Sequence, residues 1–266
     1  MRLPFAFIKR DFLIATSYKT AFGGQMLGIL ASVPMYYFMG ELFKGTGSGL
    51  LGEYDGDYFA FLLIGMAFLD YHAVSLHTFN QSLRESMLMG TLETVLLSPT
   101  TLARLLFYSS LWVYLFTTFR FCIYMLTGLV FGLDLGDANL LGGMAVLLLG
   151  IVCFASFGIM SASAIMVIKQ GDVFNVLVST ASLFLGGVIY PISLLPDWLQ
   201  FLSQWIPITH ALEGMRLALM KGYSLGDLAP QLLILCAFAV VLLPISLIMF
   251  SLSVRWTKVA GTLAQY

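Results

Sequence analysis

Four ionisable side chains stand where water is scarce: Asp70, His72 and His77 inside one long apolar stretch, and Arg120 inside another. An ionisable group in hydrocarbon is costly, so it faces the bundle interior or a wet cavity. At 1.5 Å per helical residue, Asp70 lies roughly 15–20 Å and Arg120 about 20 Å from corresponding ends of their helices. Those depths permit an ion pair that pins two helices. A substrate contact, a proton relay or separate snorkelling are the alternatives. His72 and His77 are five residues apart and share no helical face, which argues against a metal site. Each reads as an interior or helix-end group. Cys122, Cys153 and Cys236 lie in apolar runs at spacings that fit neither a metal site nor a disulfide framework. They read as small apolar fillers. Ser193 and His210 could be imagined as nucleophile and base, but the sequence places no third group or oxyanion donor beside them. There is no G-x-x-x-x-G-K-S/T loop to cradle phosphates, so energy from ATP must come through another chain.

The elements that hold such groups must themselves suit lipid. Of 266 residues, 59% are hydrophobic and 10% charged, with a mean hydropathy of +0.92. Soluble domains carry about 25% charged residues; so little charge cannot cover a water-facing surface of this size. The net charge of -1 excludes the basic stripe of a nucleic-acid binder. A membrane-crossing helix needs about 20 mostly apolar residues. Six stretches qualify: 21–43, 58–79, 105–133, 138–168, 173–195 and 228–254. The expected fold is therefore all-α and polytopic, one transmembrane domain over 1–266. No short cleavage site follows the first span, which is read as retained.

Basic residues orient such a chain. Arg2, Lys9, Arg10 and Lys19 precede span one, Arg84 and Arg104 join spans two and three, Lys169 follows span four, and Arg255 and Lys258 follow span six. The opposite loops hold only Lys44, Arg216 and Lys221, among many carboxylates. With Arg120 set aside, nine against three puts both termini in the cytoplasm, in a cell inner membrane.

Three shorter segments carry a mechanism. Over 4–19, Phe5, Ile8, Phe12 and Ala15 recur at helical spacing, with Lys9, Arg10 and Lys19 elsewhere on the wheel. That suits a helix lying in the membrane interface, or a plain amphipathic lead-in. Over 90–98, Gly90 can cap a helix and Glu93 can reach back to the capping amide. Leu92, Val95 and Leu96 form an apolar face, and Pro99 forbids continuation. A short rigid helix follows, offered to a soluble partner or packed under its own bundle. Over 191–210, Pro191, Pro196 and Pro207 break the chain, while Leu194, Trp198, Leu202 and Trp205 share one face. Tryptophan favours the headgroup level, so this segment is expected to dip back into the outer leaflet, as a gate or as an inert anchor.

Gly90-Thr91-Leu92-Glu93 with Ser98-Pro99, the Tyr190-Pro191 to Leu195-Pro196 turn, and Pro207 followed by Ala211-Leu212-Glu213-Gly214-Met215-Arg216 occur in this order. With the six spans, they make the chain resemble the permease subunit of type-2 ABC exporters over nearly its whole length. The resemblance implies a homodimer of permeases bound to two separate ATP-binding cassette subunits, with ATP and Mg held there and no cofactor on this chain. It implies that Gly90, Thr91, Leu92, Glu93, Val95 and Leu96 form the coupling helix, and that Pro191, Leu194, Trp198 and Leu202 belong to an outer re-entrant gate. An amphiphilic drug, lipid or glycan-type substrate would pass between spans two and five of the two permeases. Phe61, Phe68 and Tyr71 of span two and Phe174 and Leu177 of span five are the expected walls, although the span-two aromatics could equally be lipid-facing filler. A proton-coupled carrier using Asp70 and His72 is the alternative, and an intramembrane enzyme a third reading.

Overall fold

The computed structural model describes residues 2–43, 57–88, 102–168 and 172–259. Their regular elements are helical: α1 (Arg2–Ser17), α2 (Lys19–Phe43), α3 (Tyr58–Leu88), α4 (Leu102–Val130), α5 (Leu140–Ile168) and α6 (Asp172–Leu185). A 3-10 turn (Ile192–Leu194) then leads to α7 (Asp197–Ser203), α8 (Pro207–Met220) and α9 (Ala229–Val259).

Among the described residues, five helices are long and apolar enough to cross a membrane: α2, α3, α4, α5 and α9. Within the span expected over 173–195, α6 ends at Leu185 after 14 residues. That length is about 21 Å, short of the roughly 30 Å hydrocarbon core. The break comes earlier than the prolines. Gly187 has a φ of +68°, and a Cβ at Gly186 would run into the Ser182 carbonyl. Glycine alone enters this turn without strain. Conversely, α3 runs to Leu88, nine residues past its expected end at Phe79.

The bundle is built around α3. In its membrane-crossing window 72% of the residues are buried, against 11% for α9. Phe61, Leu62, Leu63, Ile64, Phe68, Tyr71, Leu76 and Leu83 are all fully buried. α3 packs on α2, α4, α5, α6 and α8, and α5 in turn packs on α8 and α9. Small residues let backbones approach where lipid gives no hydrophobic drive between helices. Gly158 of α5 is such a point. A Cβ there would overlap the Ser75 carbonyl of α3 and come within 2.7 Å of Phe79.

Caps secure the helix ends at the proline-rich end of the bundle. The Asp57 carboxylate accepts from the Ala60 amide at 3.1 Å, and Asn139 Oδ1 from the Gly142 amide at 3.0 Å. α4 closes where Gly132 takes a φ of +98° and the Leu133 amide donates to the Gly128 carbonyl at 2.9 Å.

At the other end α1 lies along α4. Phe5 of the expected interface face is 70% exposed, while Phe7, outside that face, meets Tyr108 at 5.7 Å between ring centroids. Phe12 meets Trp112 at 5.4 Å, so aromatic contacts with α4 set the rotation of α1.

Gly158→Ala should cost about 1–3 kcal/mol through overpacking. Gly143→Ala is the control, since its Cβ would find ordinary contact with Met215 and Leu219. Thermal unfolding in detergent should show a lower midpoint for the first only; equal midpoints would deny the close α3–α5 approach.

Candidate functional site

Within its membrane depth, α3 carries Asp70, His72, Ser75 and Asn80, and each of these is bonded to a neighbouring helix. Arg120 Nη2 of α4 lies 2.9 Å from Asp70 Oδ2 and donates to Oδ1 at 3.0 Å. His72 Nε2 and the Ser182 hydroxyl of α6 are 2.8 Å apart. The Tyr114 hydroxyl of α4 donates to Ser75 Oγ at 2.9 Å. Asn80 donates to Ser161 Oγ of α5 at 3.2 Å, and Ser161 donates to Asn175 Oδ1 of α6 at 2.5 Å. One face of short α6 is thus tied into the bundle at Asn175 and Ser182. Its opposite face leaves Val173, Val176, Leu177 and Phe184 exposed.

The turn after α6 has its own anchor. Arg216, counted by sequence among the loop charges, is buried within α8. Its Nη1 donates to the Gly187 carbonyl at 2.8 Å, and its Nη2 to the Val188 and Phe61 carbonyls at 3.0 and 3.1 Å. The guanidinium carbon sits 3.4 Å from the centroid of the Phe61 ring, a desolvated cation–π contact. The Tyr58 hydroxyl donates to the Ile189 carbonyl at 3.0 Å. Gly65 makes room for this knot, because a Cβ there would lie against the Val188 carbonyl and 2.7 Å from Arg216 Nη2.

Beyond the knot, Gln200 Nε2 donates to the Leu195 carbonyl at 2.7 Å, joining α7 to the turn before it. Pro207 opens α8, where its missing N–H costs nothing. Together they roof a cavity of about 660 Å³, lined in part by Ser193, Gln204, His210, Glu213, Arg216 and Gln231. Leu194, Trp198, Leu202 and Trp205 are exposed, and Trp205 also lines the cavity.

Residues 5–220 match the family described as "ABC-2 type transporter". The chain belongs to that family. It is similar to a protein named "Nodulation protein J" from Sinorhizobium fredii, 28% identical over 84% of either chain. A protein of the same name from Rhizobium meliloti is 27% identical over 82% of either chain. The chain is therefore an ABC-2 type membrane permease subunit with the export role of that family, not an enzyme.

Within this permease the residues predicted from sequence fall in different settings. Phe61, Phe68 and Tyr71 are fully buried in the core of their own bundle, Phe68 edge-on to Phe154 at 5.7 Å. Phe174 is half-buried and Leu177 exposed. Pro191 lines the roofed cavity. Gly90, Thr91, Leu92, Glu93, Val95 and Leu96 lie outside the described residues. Asp70 and His72 turn to different helices and form no relay with each other. His77 is exposed, and His210 bonds the Gln204 carbonyl at 2.9 Å rather than Ser193. No group of three metal-ligating side chains occurs among the described residues.

Sequence reasoning missed Arg216 as an anchor and Asn80, Ser161, Asn175 and Ser182 as ties. The available signal for the ties was a polar residue on an otherwise apolar helix; for Arg216 it was a lone arginine flanked on both sides by apolar residues.

Arg216→Lys should not rescue Arg216→Gln, since an ammonium lacks the planar fork that reaches three carbonyls while lying over the Phe61 ring. Either change should cost on the order of 3 kcal/mol, read as a lower unfolding midpoint with the chain still inserted. For the ion pair, Asp70→Asn or Arg120→Gln alone strands a charge, so each single change should destabilise more than the double. Additive losses across that double-mutant cycle would mean the two groups act separately.

Proposed function

We propose that this permease works as a homodimer with two separate ATP-binding cassette subunits, moving an amphiphilic substrate outward between the two copies. The observation that carries the reading is α6. Its inner face is tied to α3 and α5, its outer face is apolar and exposed, and it stops in a glycine turn about 21 Å from its start. Irregular backbone at membrane depth must be buried in protein or line a wet cavity. A second copy facing α6 meets that demand, and the space between two such faces is a pathway walled by Val176, Leu177 and Phe184. The buried aromatics Phe61, Phe68 and Tyr71 then support the wall from behind.

In this reading the proline-rich end is outside, α6 with its turn makes span five of six, and both termini are cytoplasmic. The segment 191–210 is the outer re-entrant gate, with Trp198 and Trp205 at the headgroup level and the 660 Å³ cavity beneath it. α1 is the interface helix at the cytoplasmic face, and 90–98 the coupling helix docked on the ATPase. Drug, lipid and glycan-type substrates all have the amphiphilic character this wall accepts. The proton-carrier reading loses its support, because Asp70 is held by Arg120 while His72 faces Ser182 on the other side of α3.

Two measurements test this. Glu93→Ala should abolish substrate stimulation of ATP hydrolysis in the assembled transporter while the permease stays inserted; undiminished stimulation would deny the coupling role. Cysteines at Ser193 and Gln204, on the cavity side, should react from outside with an impermeant thiol reagent. Cysteines at Trp198 and Leu202 should react slowly, and nucleotide trapping of the ATPase should change the pattern. Reaction at all four positions alike, or only from the cytoplasm, would overturn the gate or the orientation.

A further inference from the structure

A second cavity lies away from α6 and its turn. α4 packs on α1, α2 and α3, whereas α5 packs on α3, α8 and α9. Between α4 and the α5–α9 pair there is no extensive contact, and the seam holds a cavity of about 740 Å³. Leu111 and Leu115 of α4, Ile151 and Ala155 of α5, and Leu247 and Phe250 of α9 wall it. The hydroxyls along it are already used. Ser110 donates to the Phe107 carbonyl at 2.8 Å, Tyr114 to Ser75 at 2.9 Å, and Thr118 to the Tyr114 carbonyl at 2.9 Å. Among the described residues, no buried polar side-chain atom lining this seam lacks a partner.

Water in such a place would find too few partners, and a void would forfeit the dispersion contacts of its walls. Hydrocarbon satisfies both conditions. The seam also has a polarity along its length. Arg104 is the one charged residue among those lining it, is exposed, and stands in the first turn of α4. No carboxylate is paired with it among the described residues. From Arg104 to Thr118, the extremes of the lining on α4, is about 21 Å. That exceeds the roughly 15 Å half-thickness of the hydrocarbon core, so the seam follows one leaflet from headgroup level inwards. A guanidinium is suited to bidentate phosphate recognition.

We infer that the α4–α5–α9 seam binds one anionic glycerophospholipid of the cytoplasmic leaflet, with its phosphate on Arg104 and an acyl chain between the helices. The choice of leaflet rests on the orientation proposed above; the site itself does not. The lipid closes the gap between two blocks that are otherwise joined mainly through α3, away from the face that α6 offers to a second copy.

The full-length permease, delipidated in detergent, is titrated with phosphatidylglycerol and separately with phosphatidylcholine, and bound lipid is counted by native mass spectrometry. One phosphatidylglycerol should remain per chain, roughly tenfold tighter than phosphatidylcholine, the scale of one charge-assisted hydrogen bond. Arg104→Gln should bring the two lipids level. Ala155→Phe, which fills the seam and leaves Arg104 in place, should weaken both by a similar factor; Leu247→Trp does the same from α9 should the first variant fail to fold. Unchanged phosphatidylglycerol binding in the Arg104 and seam-filling variants overturns the site. So does loss on Arg104→Gln without loss in the filled variants, which is surface charge with no chain in the seam. Orientation is read separately from Arg104→Cys in a background lacking Cys122, Cys153 and Cys236. Labelling only in inverted vesicles supports the cytoplasmic leaflet, and labelling of intact cells overturns that assignment while the titration still decides the site.

Discussion

A buried helix that carries polar side chains inside a membrane is placed by the partners those side chains find, and α3 lives under that constraint. Lipid offers no hydrogen bonds, so Asp70, His72, Ser75 and Asn80 must be answered by other helices. The answers come from α4, α6, α4 and α5 in turn, with Asn175 of α6 reached through Ser161. Interhelical bonds of this kind contribute about 0.6–2 kcal/mol each. Their larger effect is on rotation and register, because apolar faces alone would slide. The arrangement of α4, α5 and α6 about α3 follows from where those four residues sit on one helix.

The turn at Gly186 and Gly187 obeys the same constraint by other means. Breaking a helix within the bundle frees carbonyls, and Arg216 collects two of them, at Gly187 and Val188, together with that of Phe61. A charge that would be costly in an apolar setting is stabilised by three carbonyl dipoles and an aromatic face. This knot holds the end of α6, and with it the start of the proline segment, in fixed relation to α3.

Not every helix is held this way. α4 is joined to α3 by an ion pair and a hydroxyl bond, yet it stands clear of α5 and α9. Its other neighbours are α1 and α2, with aromatic contacts at Phe7, Phe12 and Phe22. The bundle is therefore two blocks on a common axis, and their packing against each other is looser than the packing within each.

Much of this was legible in the residues alone. Hydropathy summed over some 20 positions located α2, α3, α4, α5 and α9 because crossing a membrane is a demand on a whole window, insensitive to what any one side chain touches. Prolines marked the broken segment, since a missing N–H acts locally. The depths of Asp70 and Arg120 were readable too, depth being only a count of residues along a helix. Tertiary structure decided what depends on rotation and on distant chain. Periodicity cannot say whether an aromatic face meets a neighbour or a space; Phe61, Phe68 and Tyr71 are buried within their own bundle, and Phe61 also lines the cavity under the turn. His72 finds Ser182 110 residues away, and Arg216 finds Phe61 155 residues away. No spacing rule connects such positions, because the distance between them is set by how helices stack and not by the chain that joins them.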